Sequence, residues 1–445
     1  MTVTIPRLPM VETLGPDEDP GNQRVSKPRQ PAVWAARLLL TALFMDLAGT
    51  KWASYLPTPV AGLYLPDAVL VGAALLATVA MATHFHVRQF GTALAAAAVA
   101  LVYVAVRLVV ALGQEPNWSL WVRDMAPFLY VAVIPMLVGA AQAIPFSTLL
   151  RTVRLATAFM AVTVMGLLSG LLTPVDIGTD VPVFSPRPDV DNAVLGLGIL
   201  AFGGWGPAGR PRRVAQIGFL ALAAMNYSRA GLLAALVCVA IAVVRERQQL
   251  LGPWVVAPAL IAASVVGMTA LLLAPGQGAP VAITPPEAVS RLLDSDVDSG
   301  TTEARLRAWR RLLDYTQAQG HTATGAGPGA QPVIDSGAVA YLSGSTDVRA
   351  PHNWIVGLLA YHGVIGLLAW CLVYARVLIP RNLHGTSLLP TAGILAYLTA
   401  SLFGVVVESP FGSLPMAAFA AWVLAHETPG RSGSPETNDA GRLRR

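Results

Sequence analysis

Residues 302–311 place Arg305, Arg307, Arg310 and Arg311 within seven positions, and they share that stretch with Trp309. Arginine presents a planar fork that matches pairs of phosphate or carboxylate oxygens, so such a run is suited to gripping a polyanion. Either Arg305 or Arg307 qualifies as the working residue. Arg310 and Arg311 read as a solvated face. Tyr227-Ser228-Arg229-Ala230-Gly231 forms a tight break between two apolar runs. Its arginine either grips an anion at a membrane edge or snorkels to end a helix. Arg187 sits in Phe184-Ser185-Pro186-Arg187-Pro188-Asp189, held extended by two prolines. It is an anion ligand or a loop residue paired with Asp189 or Asp191. His352, with Asn353, stands at the mouth of an apolar run, where it either accepts a proton from a hydroxyl or sits as a passive interfacial histidine. His362 reads as a core hydrogen-bonding group. Glu408, in Glu408-Ser409-Pro410, orients an arginine or His352 or caps a helix. No metal-ligand spacing occurs.

The elements that position these residues follow from composition. The 445-residue chain is 54% hydrophobic and 12% charged, against about 25% charged in soluble proteins. Its mean hydropathy is +0.58. These figures exclude disorder, coiled coil, collagen and a disulfide scaffold. The net charge is +5, nearly all of it arginine, since Lys27 and Lys51 are the only lysines. The basic residues fall in short clusters, the pattern of helix ends at an anionic leaflet and not of nucleic-acid binding. Cys238 and Cys371 lie in apolar runs, so no disulfide framework is indicated.

A bilayer core needs about 20 apolar residues per helix. Twelve stretches qualify: 34–50, 63–82, 92–112, 125–145, 152–173, 191–207, 212–227, 229–245, 253–274, 353–379, 387–406 and 408–426. The stretch 191–245 admits one helix more or less. The expected fold is all-α and polytopic, with about 12 transmembrane helices and one large extracytoplasmic loop between spans 9 and 10. Residues 1–33 read as a cytoplasmic tail, 34–274 as spans 1–9, 275–352 as the loop, 353–426 as spans 10–12 and 427–445 as a disordered cytoplasmic tail. Orientation rests on the excess of arginine in the loops that this topology places inside. Within the long loop, Leu306, Trp309 and Leu313 recur at helical spacing, with Arg305 and Arg307 flanking the stripe. Gly325, Gly327 and Gly329 mark a turn. No internal repeat supports an inverted-repeat transporter.

In order and spacing these features resemble the O-antigen ligase and polysaccharide polymerase family of bacterial membrane glycosyltransferases. The matching residues are Ser228-Arg229-Ala230-Gly231, then Arg305-x-x-x-Trp309, then Gly325-Ala326-Gly327-Pro328-Gly329, then His352-Asn353 leading to Gly363-x-x-Gly366. The resemblance covers about 185–370 by motif. Ala230 stands where the family commonly has glycine, and the Arg187 segment is a loose match to its upstream arginine. The resemblance implies a metal-independent enzyme with no cofactor. It would move or polymerise a glycan from a polyprenyl-diphosphate donor onto a glycan or lipid-glycan acceptor, at the outer face of the cytoplasmic membrane. His352 would then be catalytic, Arg229, Arg305, Arg307 and Arg187 would bind diphosphate, and Ser228, Trp309, Asn353 and Glu408 would support them. The lipid bilayer is a partner and nucleic acid is not. The competing reading is a multi-span transporter of a polysaccharide precursor or other anionic solute, which leaves the arginine-rich loop without a role.

This topology is checked by labelling single cysteines with an impermeant reagent in intact cells. Positions 335–345 are expected to react and the C-terminal tail to stay protected.

Overall fold

A computed structural model describes residues 30–58, 64–83, 87–114, 116–179, 181–205, 210–246, 299–342, 349–379 and 385–427. Most of both terminal tails and the stretch read as a span at 253–274 lie outside them. No strand occurs among the described residues, and helices run as follows: α1 Gln30–Ser54, α2 Leu65–Thr83, α3 Val87–Leu112, α4 Trp118–Gln142, α5 Phe146–Leu168, α6 Pro188–Trp205, α7 Arg210–Met225 and α8 Arg229–Glu246. After the undescribed stretch come α9 Ser299–Ala318, the short α10 Pro332–Asp335 and α11 Val339–Leu342, then α12 Trp354–Val377, α13 Leu388–Ala400 and α14 Pro410–Ala425. Five of these, α1, α3, α4, α5 and α12, are long and apolar enough to cross a membrane. This is a multi-pass membrane protein. α13 and α14 are sheathed by neighbours, with Tyr397, Phe419 and Leu424 fully buried, whereas α3 exposes Val99, Val102, Val106 and Val109 as a lipid-facing side does.

In a bilayer each backbone N–H and C=O must find a partner within the protein. α12 breaks at Gly363, whose φ of 66° lies in the left-handed region, so the regular i to i−4 ladder lapses there. The loop after α9 enters the gap. Ala326 N donates to Ala360 O at 2.8 Å and Gly327 N to Tyr361 O at 3.0 Å, while Val364 N donates to Thr322 O at 3.0 Å and Ile365 N to Ala323 O at 3.1 Å. The glycine-rich stretch read as a turn is thus a plug that completes a broken helix. Backbone meets backbone here: a Cβ on Gly325 would lie 2.3 Å from His362 N, and one on Gly363 2.3 Å from Ala323 O.

Side chains on the far side of the break complete the dock. His362 is buried, with Nδ1 3.1 Å from the Tyr103 hydroxyl and Nε2 3.0 Å from Asp124 O. A carbonyl only accepts, so Nε2 carries the proton and Nδ1 accepts from tyrosine. Arg107 Nε donates to the same tyrosine at 2.8 Å. Arg349 pairs with Asp124 at 3.0 Å, both buried, and Asp124 also accepts from Gly329 N at 2.8 Å. The loop is therefore fastened to α4 as well as to α12.

The loop helix packs by Ala308, Trp309, Leu312 and Thr316. Leu313, read as part of the stripe, is 37% exposed, because the buried row turns through Leu312.

Gly363→Ala and Gly325→Ala are expected to lower the detergent melting temperature well beyond Gly327→Ala. Gly327 has a φ of 96° and open space around it, so its substitution adds only strain, about 1–3 kcal/mol. The other two add a backbone clash to that strain. Thermal unfolding of the three purified variants checks this order.

Candidate functional site

The C-terminal turn of α13 leaves carbonyls that no helix residue can satisfy. Successive carbonyls here are taken by residues from three other elements. Trp354 N donates to Ser401 O at 3.1 Å, and Asn353 Nδ2 to Leu402 O at 3.1 Å. Arg305 Nη1 donates to Phe403 O at 3.1 Å, and Arg187 Nη2 to Val405 O at 3.3 Å. Four residues from the distant segments Arg187, α9 and the start of α12 thus converge on the stretch 401–405. A Cβ on Gly404, between the two gripped carbonyls, would lie 2.1 Å from Asp189 Oδ2, so the segment threads tightly between the arginines.

Each residue has a local reason for its place. Asn353 caps α12 by accepting from Ile355 N at 2.9 Å and Val356 N at 3.1 Å. Arg187 precedes Pro188, the first residue of α6, and Asp191 reaches back to accept from Arg187 N at 2.8 Å. The Arg187 guanidinium lies 2.9 Å from Asp189, out of line for a hydrogen bond, and 5.7 Å from the centre of the Phe411 ring. Trp309 Nε1 donates to Pro351 O at 2.6 Å. That residue clamps the loop helix onto the segment before His352, so its ring is not available to pack on a ligand.

Ser228 caps α8 by accepting from Gly231 N at 3.1 Å. Arg229 opens that helix beside Arg187: a Cβ on Gly231 would lie 2.4 Å from Pro188 O. Asn192 and Asn226 stitch the two helix starts together, with Asn226 Nδ2 donating to Asn192 Oδ1 at 3.0 Å and Asn192 Nδ2 to Ala223 O at 2.9 Å. Arg307 is different. Two residues along a helix is about 200° of rotation, so with Arg305 turned inward Arg307 lies on the exposed face. Arg310 is exposed too, and Arg311, exposed as well, donates to Ser336 O at 2.6 Å.

The electrostatics are one-sided. Burial lowers the pKa of Arg305, and the nearby charge of Arg187 lowers it further against the pull of Asp189. Burial, with the charges of Arg305 and Arg187, pulls His352 down to about 4. The imidazole is therefore neutral at physiological pH and faces two cations. Glu408 stands in the hairpin before α14, its carboxylate tip buried and without a hydrogen bond of ordinary geometry. Burial pushes it up to about 7, against the backbone N–H groups of Glu408 and Val406 and the charge of Arg187. Its Oε1 and the Pro351 ring both sit over Gly357, next to His352. Lys51 adds a third cation within electrostatic reach of Arg187 and Asp189.

Backbone strain marks the same place. Among the described residues, Thr50 (φ 41°), Phe184 (φ 60°) and His352 (φ 58°) are the non-glycine residues with positive φ. Phe184 precedes Arg187 by three residues and packs its ring 5.6 Å from that of Trp52. Thr50 donates to Asp191 at 2.7 Å. Such conformations persist only where the surroundings over-determine them, and they gather at functional sites. Sequence reasoning passed over Thr50, Lys51 and Asn226, which carry no motif.

A multi-pass helical bundle that brings Arg187 and Arg305 onto one turn, with a neutral histidine within reach of their charge, defines the class, a multi-pass membrane protein. Residues 214–371 match the family model described as O-antigen ligase, about a third of the chain, and this supports an O-antigen ligase-like family. The matched stretch contains Arg229, Arg305, Arg307, Trp309 and His352, while Arg187 and Glu408 lie beyond it. The match points to a membrane glycosyltransferase-like enzyme in glycan ligation or polymerisation. No curated protein matches the chain.

A depressed histidine pKa means that the unfolded chain binds more protons than the folded one between about 6.5 and 4. Stability should therefore fall as pH drops through that window. The His352 ring should show no titration between about pH 8 and 5 in the folded protein. Nuclear magnetic resonance of labelled histidine, compared with His352→Gln, checks both.

Proposed function

We propose that the protein transfers or polymerises a glycan from a polyprenyl-diphosphate donor onto an acceptor hydroxyl at the extracytoplasmic membrane face. The observation that carries this reading is the convergence of Arg187 and Arg305 on the turn after α13, with the neutral His352 within reach of both charges. Arg187 and Arg305, with Arg229 at the adjoining helix start, bind the donor diphosphate. The bond from the sugar C1 to the diphosphate oxygen breaks, and the electron pair leaves with the diphosphate, whose growing charge the guanidinium groups stabilise. The acceptor oxygen bonds to C1. Its proton passes to the free nitrogen of His352 and from there to water.

A base with a pKa near 4 is weak, and donor binding corrects this. Two of the causes that hold His352 down are the charges of Arg305 and Arg187. A bound diphosphate offsets those charges, so the histidine becomes more basic when its substrate arrives.

Transfer from purified lipid donor in detergent, with donor binding measured separately, tests the reading. His352→Ala should lose about 10²–10⁴ in rate and keep donor affinity. Arg305→Ala should weaken donor binding far more than Arg307→Ala or Arg310→Ala, and Arg229→Lys should resemble Arg229→Ala because an ammonium lacks the planar fork. Full turnover by His352→Ala, or normal donor binding by Arg305→Ala, removes that residue from the mechanism.

The two pH profiles should separate. The acid limb of kcat/KM reports the free enzyme and should lie near the free-site value of about 4. The acid limb of kcat reports the donor complex and should lie higher. Coincident limbs would sink the idea that the donor primes the histidine.

A further inference from the structure

Beneath the arginine pocket, α1 breaks at Thr50, where φ is 41° and ψ is −116°. For a β-branched residue this is an outlier that needs external support. The support is a chain of polar contacts inside the bundle. Thr50 Oγ1 donates to Asp191 Oδ1 at 2.7 Å, and Asp191 Oδ2 accepts from Arg187 N at 2.8 Å. Both oxygens of Asp191 thus accept, as an ionised carboxylate does. Ser54 Oγ is bonded to Thr50 O at 2.8 Å and also to Asp46 Oδ1.

Donor counting sets the state of Asp46. A serine hydroxyl has one hydrogen, and both of its partners, a carbonyl and a carboxylate oxygen, would be acceptors. The arrangement is satisfied when the carboxyl carries the proton: Asp46 Oδ1–H donates to Ser54 Oγ, and Ser54 Oγ–H donates to Thr50 O. Asp46 is 0% exposed, and its Oδ2 has no hydrogen-bond partner. The titratable groups facing it are Asp67 on α2, Tyr130 on α4 and Tyr397 on α13. None is a cation, so an ionised carboxylate there would stand buried and uncompensated. Ser54 is also held by α1, so Asp46 cannot be relieved by rotating it away.

We propose that Asp46 is a membrane-embedded acid that stays protonated, and that Asp46, Ser54, Thr50 and Asp191 form a relay fixing the position of Arg187. Asp46 and Asp191 are positioning residues: they touch Arg187 through its backbone and through α1, not the substrate. The functional half of the proposal rests on the reading of Arg187 as a diphosphate ligand. One aspartate is neutral and the other ionised because one lacks any donor beyond a shared hydroxyl, while the other receives two.

The test measures binding of farnesyl diphosphate and the infrared spectrum in detergent. Asp46→Asn keeps a hydrogen donor for Ser54 and should retain affinity. Asp191→Asn loses one acceptor and should weaken binding about tenfold, the effect of roughly one hydrogen bond to a charged group, with turnover at saturating donor little changed. Beside the Glu408 band, which titrates away through about pH 7, a second protonated-carboxyl C=O band should persist from about pH 5 to about pH 8 and vanish in Asp46→Asn. Absence of that band, or an Asp46→Asn variant as impaired as Asp46→Ala, overturns the neutral acid. Wild-type affinity in Asp191→Asn alongside weak binding in Arg187→Ala overturns the relay. Wild-type affinity in Arg187→Ala removes the arginine from the diphosphate site and the relay's functional half with it, while the infrared band still decides the state of Asp46.

Discussion

An unpaired backbone amide in a bilayer costs several kcal/mol, so each place where this protein interrupts a helix needs partners from elsewhere. α12 breaks at Gly363, α1 at Thr50, and α13 ends in a turn of open carbonyls. Each break is closed by a segment far away in sequence. The glycine-rich plug closes the first, Asp191 and Ser54 support the second, and Arg187, Arg305, Asn353 and Trp354 N take the carbonyls of the third. The residues of the candidate site are thus the same ones that satisfy the backbone. That dual duty holds them in place without a ligand.

Charge then decides what the pocket is for. Arg305, Arg187 and Lys51 lie within electrostatic reach of one another's surroundings, and the Asp189 carboxylate is 2.9 Å from the Arg187 guanidinium. Glu408 adds little opposing charge because burial raises its pKa to about 7. Burial first, and then the charges of Arg305 and Arg187, suppress the proton affinity of His352. In the proposed mechanism an anion bound beside these arginines would offset their charge, which couples its binding to proton acceptance through electrostatics. Asn192 and Asn226 keep the two helix starts at fixed spacing.

The second polar cluster, around Asp46, obeys a different rule. It holds acids without cations, and it survives because hydroxyl groups and a shared proton satisfy it. Its link to Arg187 N through Asp191 gives the interior a mechanical connection to the pocket. The two clusters meet at Asp191, one oxygen of which serves each.

Composition and hydropathy alone determined the helical membrane class, because apolar runs near bilayer length have few alternatives. Motif order alone proposed Arg229, Arg305 and His352 as one set, since arginine and histidine at membrane edges are costly and therefore informative. Sequence left Arg305 and Arg307 equal; helix rotation about a buried Trp309 and Leu312 turned one inward and the other out. Sequence read the glycines as a turn, because the partner strand of backbone at Ala360–Ile365 is not local. Sequence left Arg187 as an anion ligand or a loop arginine paired with its neighbours; it does lie beside Asp189, and its outer nitrogen reaches Val405, 218 positions away. Thr50, Lys51 and Asn226 carried no signal at all. Their importance comes from strain, field and hydrogen bonds between segments distant along the chain, quantities that exist only once the helices have packed.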